Sequence, residues 1–174
     1  SFDWAMKNIS VDDVGEFTPS AQITAAVVDT GVDYNHEDLI AAMWRHPDRS
    51  TEVGYDFAHN HARPYDALHF DLQGCLNDVL CRNGYFQEQF LVNPGHGTHC
   101  AGHVGAVANN SIGIKGVGAG TKVMALKFFY DFGEQGAGAG DDAAAIKAID
   151  YAINNGAKVI SASWGGRMPR ADGE

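Results

Sequence analysis

Gln22-Ile23-Thr24-Ala25-Ala26-Val27-Val28 runs directly into Asp29-Thr30-Gly31. Its apolar, β-branched run stands between Pro19 and a turn-forming triplet, as a strand buried on both faces does. Strands of that kind belong to parallel sheets, whose faces are covered by helices. Working outward, residues 122–129 and 157–162 form two further apolar runs. Between them, Asp141 or Asp142 caps a predicted helix that carries Ile146, Ile149 and Ile153 at helical spacing and ends at Asn155-Gly156. Strand, helix, strand in that order is a right-handed crossover unit. The expected architecture is therefore an α/β domain with a central, mostly parallel sheet and helices on both faces.

Residues 43–94 read differently. They are rich in His, Asp, Asn and Arg, with weak periodicity, which predicts loops with short strands such as 53–57. The second half of this stretch, about 65–93, reads as a surface insertion. It holds Cys75 and Cys81, close enough for a short-loop disulfide, with two reduced thiols as the alternative, while Cys100 stands alone among small residues. Gly136-Ala137-Gly138-Ala139-Gly140 is a local bias that suggests close backbone approach or a mobile loop.

At 174 residues and 45% hydrophobic content the chain is long enough for one core, so 1–174 is one domain or most of one. With 22 acidic against 12 basic residues, the net charge of -10 argues against a nucleic-acid partner and suits cation binding. No apolar run approaches the roughly 18 residues that a membrane span requires. Ser1-Phe2-Asp3-Trp4 lacks the regions of a signal peptide, so any targeting segment is expected to have been removed or to lie outside this stretch.

Catalytic groups in such a fold gather at the carboxyl ends of the strands, where Asp29 stands. Gly95-His96-Gly97-Thr98-His99-Cys100-Ala101-Gly102-His103 sets a histidine ahead of small residues, where a helix can begin and pack tightly on the sheet. The helix N-terminus disfavours a protonated His96 unless a carboxylate opposes the effect, and Asp29 could be that carboxylate. An aspartate bonded to one ring nitrogen fixes the tautomer and leaves the other nitrogen to take a proton from a nucleophile. A rival chemistry is a metal site, because His96, His99 and His103 fall at offsets of three and seven on one helix face. A hydrolytic zinc helix, however, would carry His-Glu-x-x-His, and Gly97 occupies the glutamate position.

Val27-Val28-Asp29-Thr30-Gly31-Val32-Asp33-Tyr34-Asn35-His36-Glu37-Asp38-Leu39 and the 95–102 segment resemble the two signature blocks of the subtilisin-like (subtilase) serine proteases. Asn109-Asn110-Ser111-Ile112-Gly113-Ile114-Lys115-Gly116-Val117-Gly118-Ala119 resembles the family's segment after the catalytic histidine. Ser161-Ala162-Ser163-Trp164-Gly165-Gly166 resembles its substrate-binding strand end. The resemblance runs from Trp4 to Gly166 apart from the insertion and implies a three-layer subtilisin-like fold, incomplete here at the C-terminus.

It also implies roles. Asp29 would be the orienting carboxylate and His96 the general base. Ser163, Trp164 and Gly165 would form one wall of the cleft, with Gly136 and Gly138 on the opposite rim and extended polypeptide as substrate. Asp38 and Asn110, with the carbonyls of Ala108, Ile112 and Ile114, would hold a structural calcium ion, a hard cation that takes six to eight oxygens. A propeptide partner and an extracellular or secretory location are further implications. Cys100 follows His99 where many relatives carry valine and some carry cysteine. It reads as a buried structural thiol, with sensitivity to mercurials or oxidation as the functional alternative.

Asp, His, Ser is the chain order in subtilisin, so the nucleophile should follow His96. Ser111, Ser161 and Ser163 lack the Gly-Thr-Ser context, and the oxyanion-hole asparagine is not found either. The expectation is a fragment of a serine endopeptidase that cleaves no faster than background on its own. The alternative is a catalytically inactive, peptide-binding relative.

Overall fold

The computed structural model describes residues 3–11, 23–66, 69–70, 79, 91–92, 95–130 and 140–165. In chain order the elements are α1 (Asp3–Asn8), β1 (Thr24–Asp29), β2 (Gly54–Asp56), β3 (His69–Phe70), β4 (Leu91–Val92), α2 (His96–Gly105), β5 (Lys122–Lys127), α3 (Asp142–Asn154) and β6 (Val159–Ser161). Four of the strands form a wholly parallel sheet in the order β2-β5-β1-β6. β3 and β4 make a separate antiparallel pair.

The run at 24–29 is the central strand. β1 pairs with β5 from Thr24↔Lys122 to Asp29↔Lys127, and with β6 from Ala25↔Val159 to Val27↔Ser161. Flanked on both edges and covered on both faces, it is buried from Ala25 through Asp29, which is why its sequence runs apolar without alternation. The period of two still sorts its side chains. Ala26 and Val28 join Met124, Leu126 and Phe128 under α3, while Val27 joins Val123 and Ala125 under α2, with Val32, Leu39 and Met43. Helix, sheet and helix make the three expected layers.

α3 starts where its cap predicts, with the Asp141 carboxylate accepting from the Ala143 N–H at 2.9 Å. It ends at Asn155 and Gly156, the latter at φ 80°. Its buried face differs from the one its isoleucines suggest. Ala144, Ala145, Ala148 and Ala152 pack on the sheet, whereas Ile146 and Ile153 are each 61% exposed. Small side chains let the helix approach the sheet closely, so the alanine stripe faces inward. Val159 and Ile160 of the edge strand β6 are also uncovered by the described residues.

Candidate functional site

β1 delivers Asp29 as its last residue, fully buried at the carboxyl end of the sheet. α2 begins 67 residues later with His96, and the two meet: His96 Nδ1 lies 2.7 Å from Asp29 Oδ1. The same oxygen accepts the Thr30 N–H at 2.8 Å. Half of the imidazole is exposed, so with Nδ1 engaged by the carboxylate, Nε2 is the nitrogen left for an incoming proton.

The approach requires Gly97. A Cβ there would stand 2.1 Å from the Gly31 carbonyl oxygen and 3.1 Å from Asp29 Cβ, so any side chain would push α2 off the end of β1. Gly95 gives α2 no side-chain cap. Asp66 does this work from another loop: its carboxylate, 4% exposed, accepts from Thr98 N (2.9 Å), Thr98 Oγ1 (2.6 Å) and Thr30 Oγ1 (3.0 Å). Thr30 Oγ1 in turn accepts the Gly97 N–H at 2.9 Å. Strand end and helix start are thus tied by one buried network. Asp66 sits within the stretch expected to be an insertion; the rest of 65–93, including Cys75 and Cys81, lies outside the described residues apart from 65, 69–70, 79 and 91–92. Lys127, buried at 2% exposure, adds a further tie by donating from Nζ to the Thr30 carbonyl at 2.8 Å.

The family model for the subtilase family matches residues 20–173. The chain belongs to the subtilase family. It is 35% identical over 143 residues to thermitase of Thermoactinomyces vulgaris, covering 82% of this chain and 37% of that protein. It is 35% identical over 140 residues to the thermophilic serine proteinase of Bacillus sp. (strain AK1), covering 80% of this chain and 25% of that one. Subtilisin-like protease 1 of Plasmodium berghei (strain Anka) is 27% identical over 176 residues, 94% of this chain and 25% of its own. The chain therefore spans a quarter to just over a third of these relatives' lengths.

Within this subtilase the other predicted site residues fall as follows. Ser163, Trp164 and Gly165 follow β6 at the same sheet end as Asp29. The Trp164 indole donates to the Val28 carbonyl at 2.7 Å and its ring lies 4.6 Å from that of Phe128. Gly136 and Gly138 lie outside the described residues. Asp38, 3% exposed, gathers the 110–114 loop: Oδ1 accepts from Asn110 Nδ2 at 2.7 Å and Oδ2 from the Ile114 N–H at 2.8 Å. The Asn110 Oδ1 accepts the Ile112 N–H at 3.0 Å, and Ala108 precedes this turn, half-buried.

The three histidines of α2 do not converge. His96 turns to Asp29, while the rings of His99 and His103 meet edge to face at 4.5 Å. A cavity of about 550 Å³ opens beside α2, lined by Asp33, His36, Asp66, Thr98 and His99 among others. It includes neither Asp29 nor His96, so it is distinct from the dyad.

Cys100 lies one helical turn past His96, with Sγ 4.0 Å from His96 Nδ1. Burial pushes its thiol above the ordinary cysteine range, opposed by a bond to Ser163 and reinforced by the Asp29 charge. A raised value leaves the unreactive thiol dominant at neutral pH. Alkylation by iodoacetamide is therefore expected to be slow at pH 7 and to accelerate only well into the alkaline range; rates by mass spectrometry that plateau near neutrality would contradict this.

Proposed function

We propose that this subtilase is the Asp-His part of a serine endopeptidase that hydrolyses peptide bonds in extended polypeptide. The observation that carries the reading is the 2.7 Å bond from His96 to a fully buried Asp29 at a strand end, with the imidazole half open to solvent. A serine presented to Nε2 would attack the scissile carbonyl as His96 takes its proton. Asp29 would hold the ring and stabilise the imidazolium, and His96 would then protonate the leaving amine. Substrate would pair as an added strand along 163–165, with the glycines around 136–138 on the facing rim. A propeptide and an extracytosolic location go with this reading.

A peptidyl chloromethyl ketone tests it. In a longer chain that supplies the serine, the peptide should lodge in the cleft and deliver its electrophile to His96. Peptide mapping should find the adduct on that histidine; an adduct confined to His99, His103 or Cys100 would remove the reading.

Calcium is proposed at Asp38 and Asn110. The support is a buried carboxylate beside an amide, and a backbone that makes room for them: a Cβ on Gly113 would fall 2.3 Å from Asp38 Oδ2. Once the Asn110 amide, which now turns Nδ2 to Asp38 and Oδ1 to the Ile112 N–H, rotates to present its oxygen, the Asp38 and Asn110 side-chain oxygens and the carbonyls of Ala108, Ile112 and Ile114 would hold it, and the ion would pin the 108–114 loop to the 36–39 turn. Chelation should lower the thermal midpoint in the native sequence and leave Asp38→Asn unmoved; equal midpoints with and without calcium would refute the assignment.

A further inference from the structure

A second group of metal-ligating side chains stands apart from the dyad, where β2 ends on the outer edge of the sheet. Asp56, His59 and His61 each offer one ligand atom, and these atoms lie within 4.8 Å of one another. We propose that they bind a divalent transition-metal ion of the zinc class.

The turn that carries them is set by the backbone. Asp56 and His61 form an antiparallel bridge, with Asp56 N donating to His61 O at 2.8 Å and His61 N to Asp56 O at 3.1 Å. Residues 57–60 close the loop between them. Within it Asn60 adopts φ 57°, and its Oδ1 accepts from the Tyr55 hydroxyl at 2.9 Å. Asp56 is 1% exposed, and its Oδ1 accepts the N–H groups of Ala58 and His59, both at 3.0 Å. Phe57 N donates to Lys127 O at 2.7 Å and fastens the turn to β5. The other carboxylate oxygen, Oδ2, faces both imidazoles: His59 Nδ1 at 2.9 Å and His61 Nε2 at 3.9 Å. The two rings lie nearly parallel, at 18°.

Those separations suit a tetrahedral ion. With metal–nitrogen and metal–oxygen bonds of about 2.0–2.2 Å, ligand atoms stand roughly 3.3–3.5 Å apart. The observed 2.9 and 3.9 Å bracket that value, and side-chain rotations of about half an ångström would equalise them. One carboxylate and two neutral imidazoles are the donor set of zinc, copper or nickel, whereas calcium takes oxygens. His61 is the most open of the three side chains, at 43%, which leaves the fourth position to water. Binding through His61 Nε2 would shift that ring's proton to Nδ1. The cost is one long bond, since Nδ1 now accepts the Arg63 N–H at 3.3 Å.

The test is titration of the 174-residue chain with Zn²⁺, followed by Co²⁺ as a spectroscopic stand-in. One equivalent should bind, with visible bands of four-coordinate cobalt that zinc abolishes. The double variant His59→Gln/His61→Gln should bind at least roughly 100-fold more weakly, because loss of a supporting group alone costs 10–100-fold. His99→Gln/His103→Gln should bind like the parent. If the first variant misfolds, histidine ring resonances of the parent decide: zinc should shift those of His59 and His61. Equal affinity in the His59/His61 variant, zinc shifts confined to His99 and His103, or an ultraviolet thiolate-to-cobalt band marking Cys100 would overturn the assignment.

Discussion

Asp29→Asn, in a longer chain that supplies the proposed serine, is expected to lower kcat on the order of 10⁴-fold at neutral pH while KM changes little. That is the scale known for loss of the orienting carboxylate in related triads. The physical reason lies in one contact. Asp29 Oδ1 holds His96 Nδ1 at 2.7 Å, and a carboxylate there both selects the tautomer with Nε2 unprotonated and offsets the charge that the ring gains during attack. Asparagine keeps the shape but can present an amide N–H to Nδ1, which favours the wrong tautomer and leaves the imidazolium uncompensated. The effect falls on kcat because the interaction strengthens only as charge develops.

Stability should move the other way. Asp29 is fully buried and, among the described residues, its Oδ2 has no hydrogen-bond partner, so burying this carboxylate carries a folding cost. The neutral variant should unfold at the same temperature or higher, the usual exchange between function and stability. A fall in kcat of less than about tenfold, beside the 10⁴-fold expectation, would show that the contact is merely structural.

Asp66→Ala is expected to destabilise the fold by about 2–4 kcal/mol, measured by thermal or denaturant unfolding. Three donors lose their acceptor at once: Thr30 Oγ1, Thr98 Oγ1 and Thr98 N. The last is a helix-start N–H that Gly95 cannot cap. Asp66 is 4% exposed, but it and Thr98 line the cavity beside α2, so water entering there restores only part of what is lost. Because the network also reaches Gly97 through Thr30, the start of α2 and the His96 ring should loosen together. Asp66→Asn keeps one carbonyl oxygen as acceptor and turns an amide towards the remaining donors, and should fall between the parent and alanine. A loss below about 0.5 kcal/mol for alanine, the level of an ordinary surface change, would remove Asp66 from the framework.

How far these features can be read from sequence depends on how local their causes are. β1 declares itself because a strand enclosed on four sides has no room for polar residues, and α3 because Asp141 caps it by bonding two residues on. The buried face of α3 was not legible by hydrophobicity alone. Alanine faces inward because the sheet is close, a tertiary fact, and the larger Ile146 and Ile153 turn out while Ile149 is half-buried. Asp29 and His96 were legible through the segments around them, although 67 residues separate them. Asp66 was not, since its partners lie 32 and 36 residues away and nothing local marks it as a helix cap. Asp56, His59 and His61 sat in a stretch that reads only as polar loop, and it is the strand bridge between 56 and 61 that turns their spacing into a cluster.

Fluorophosphonate labelling measures whether His96 activates a serine. A longer chain containing these residues should react at one serine C-terminal to Gly165, found by peptide mapping, and His96→Ala should suppress the reaction strongly. No label on folded, longer protein, or labelling that His96→Ala leaves unchanged, would contradict the account and point to a peptide-binding relative without catalysis.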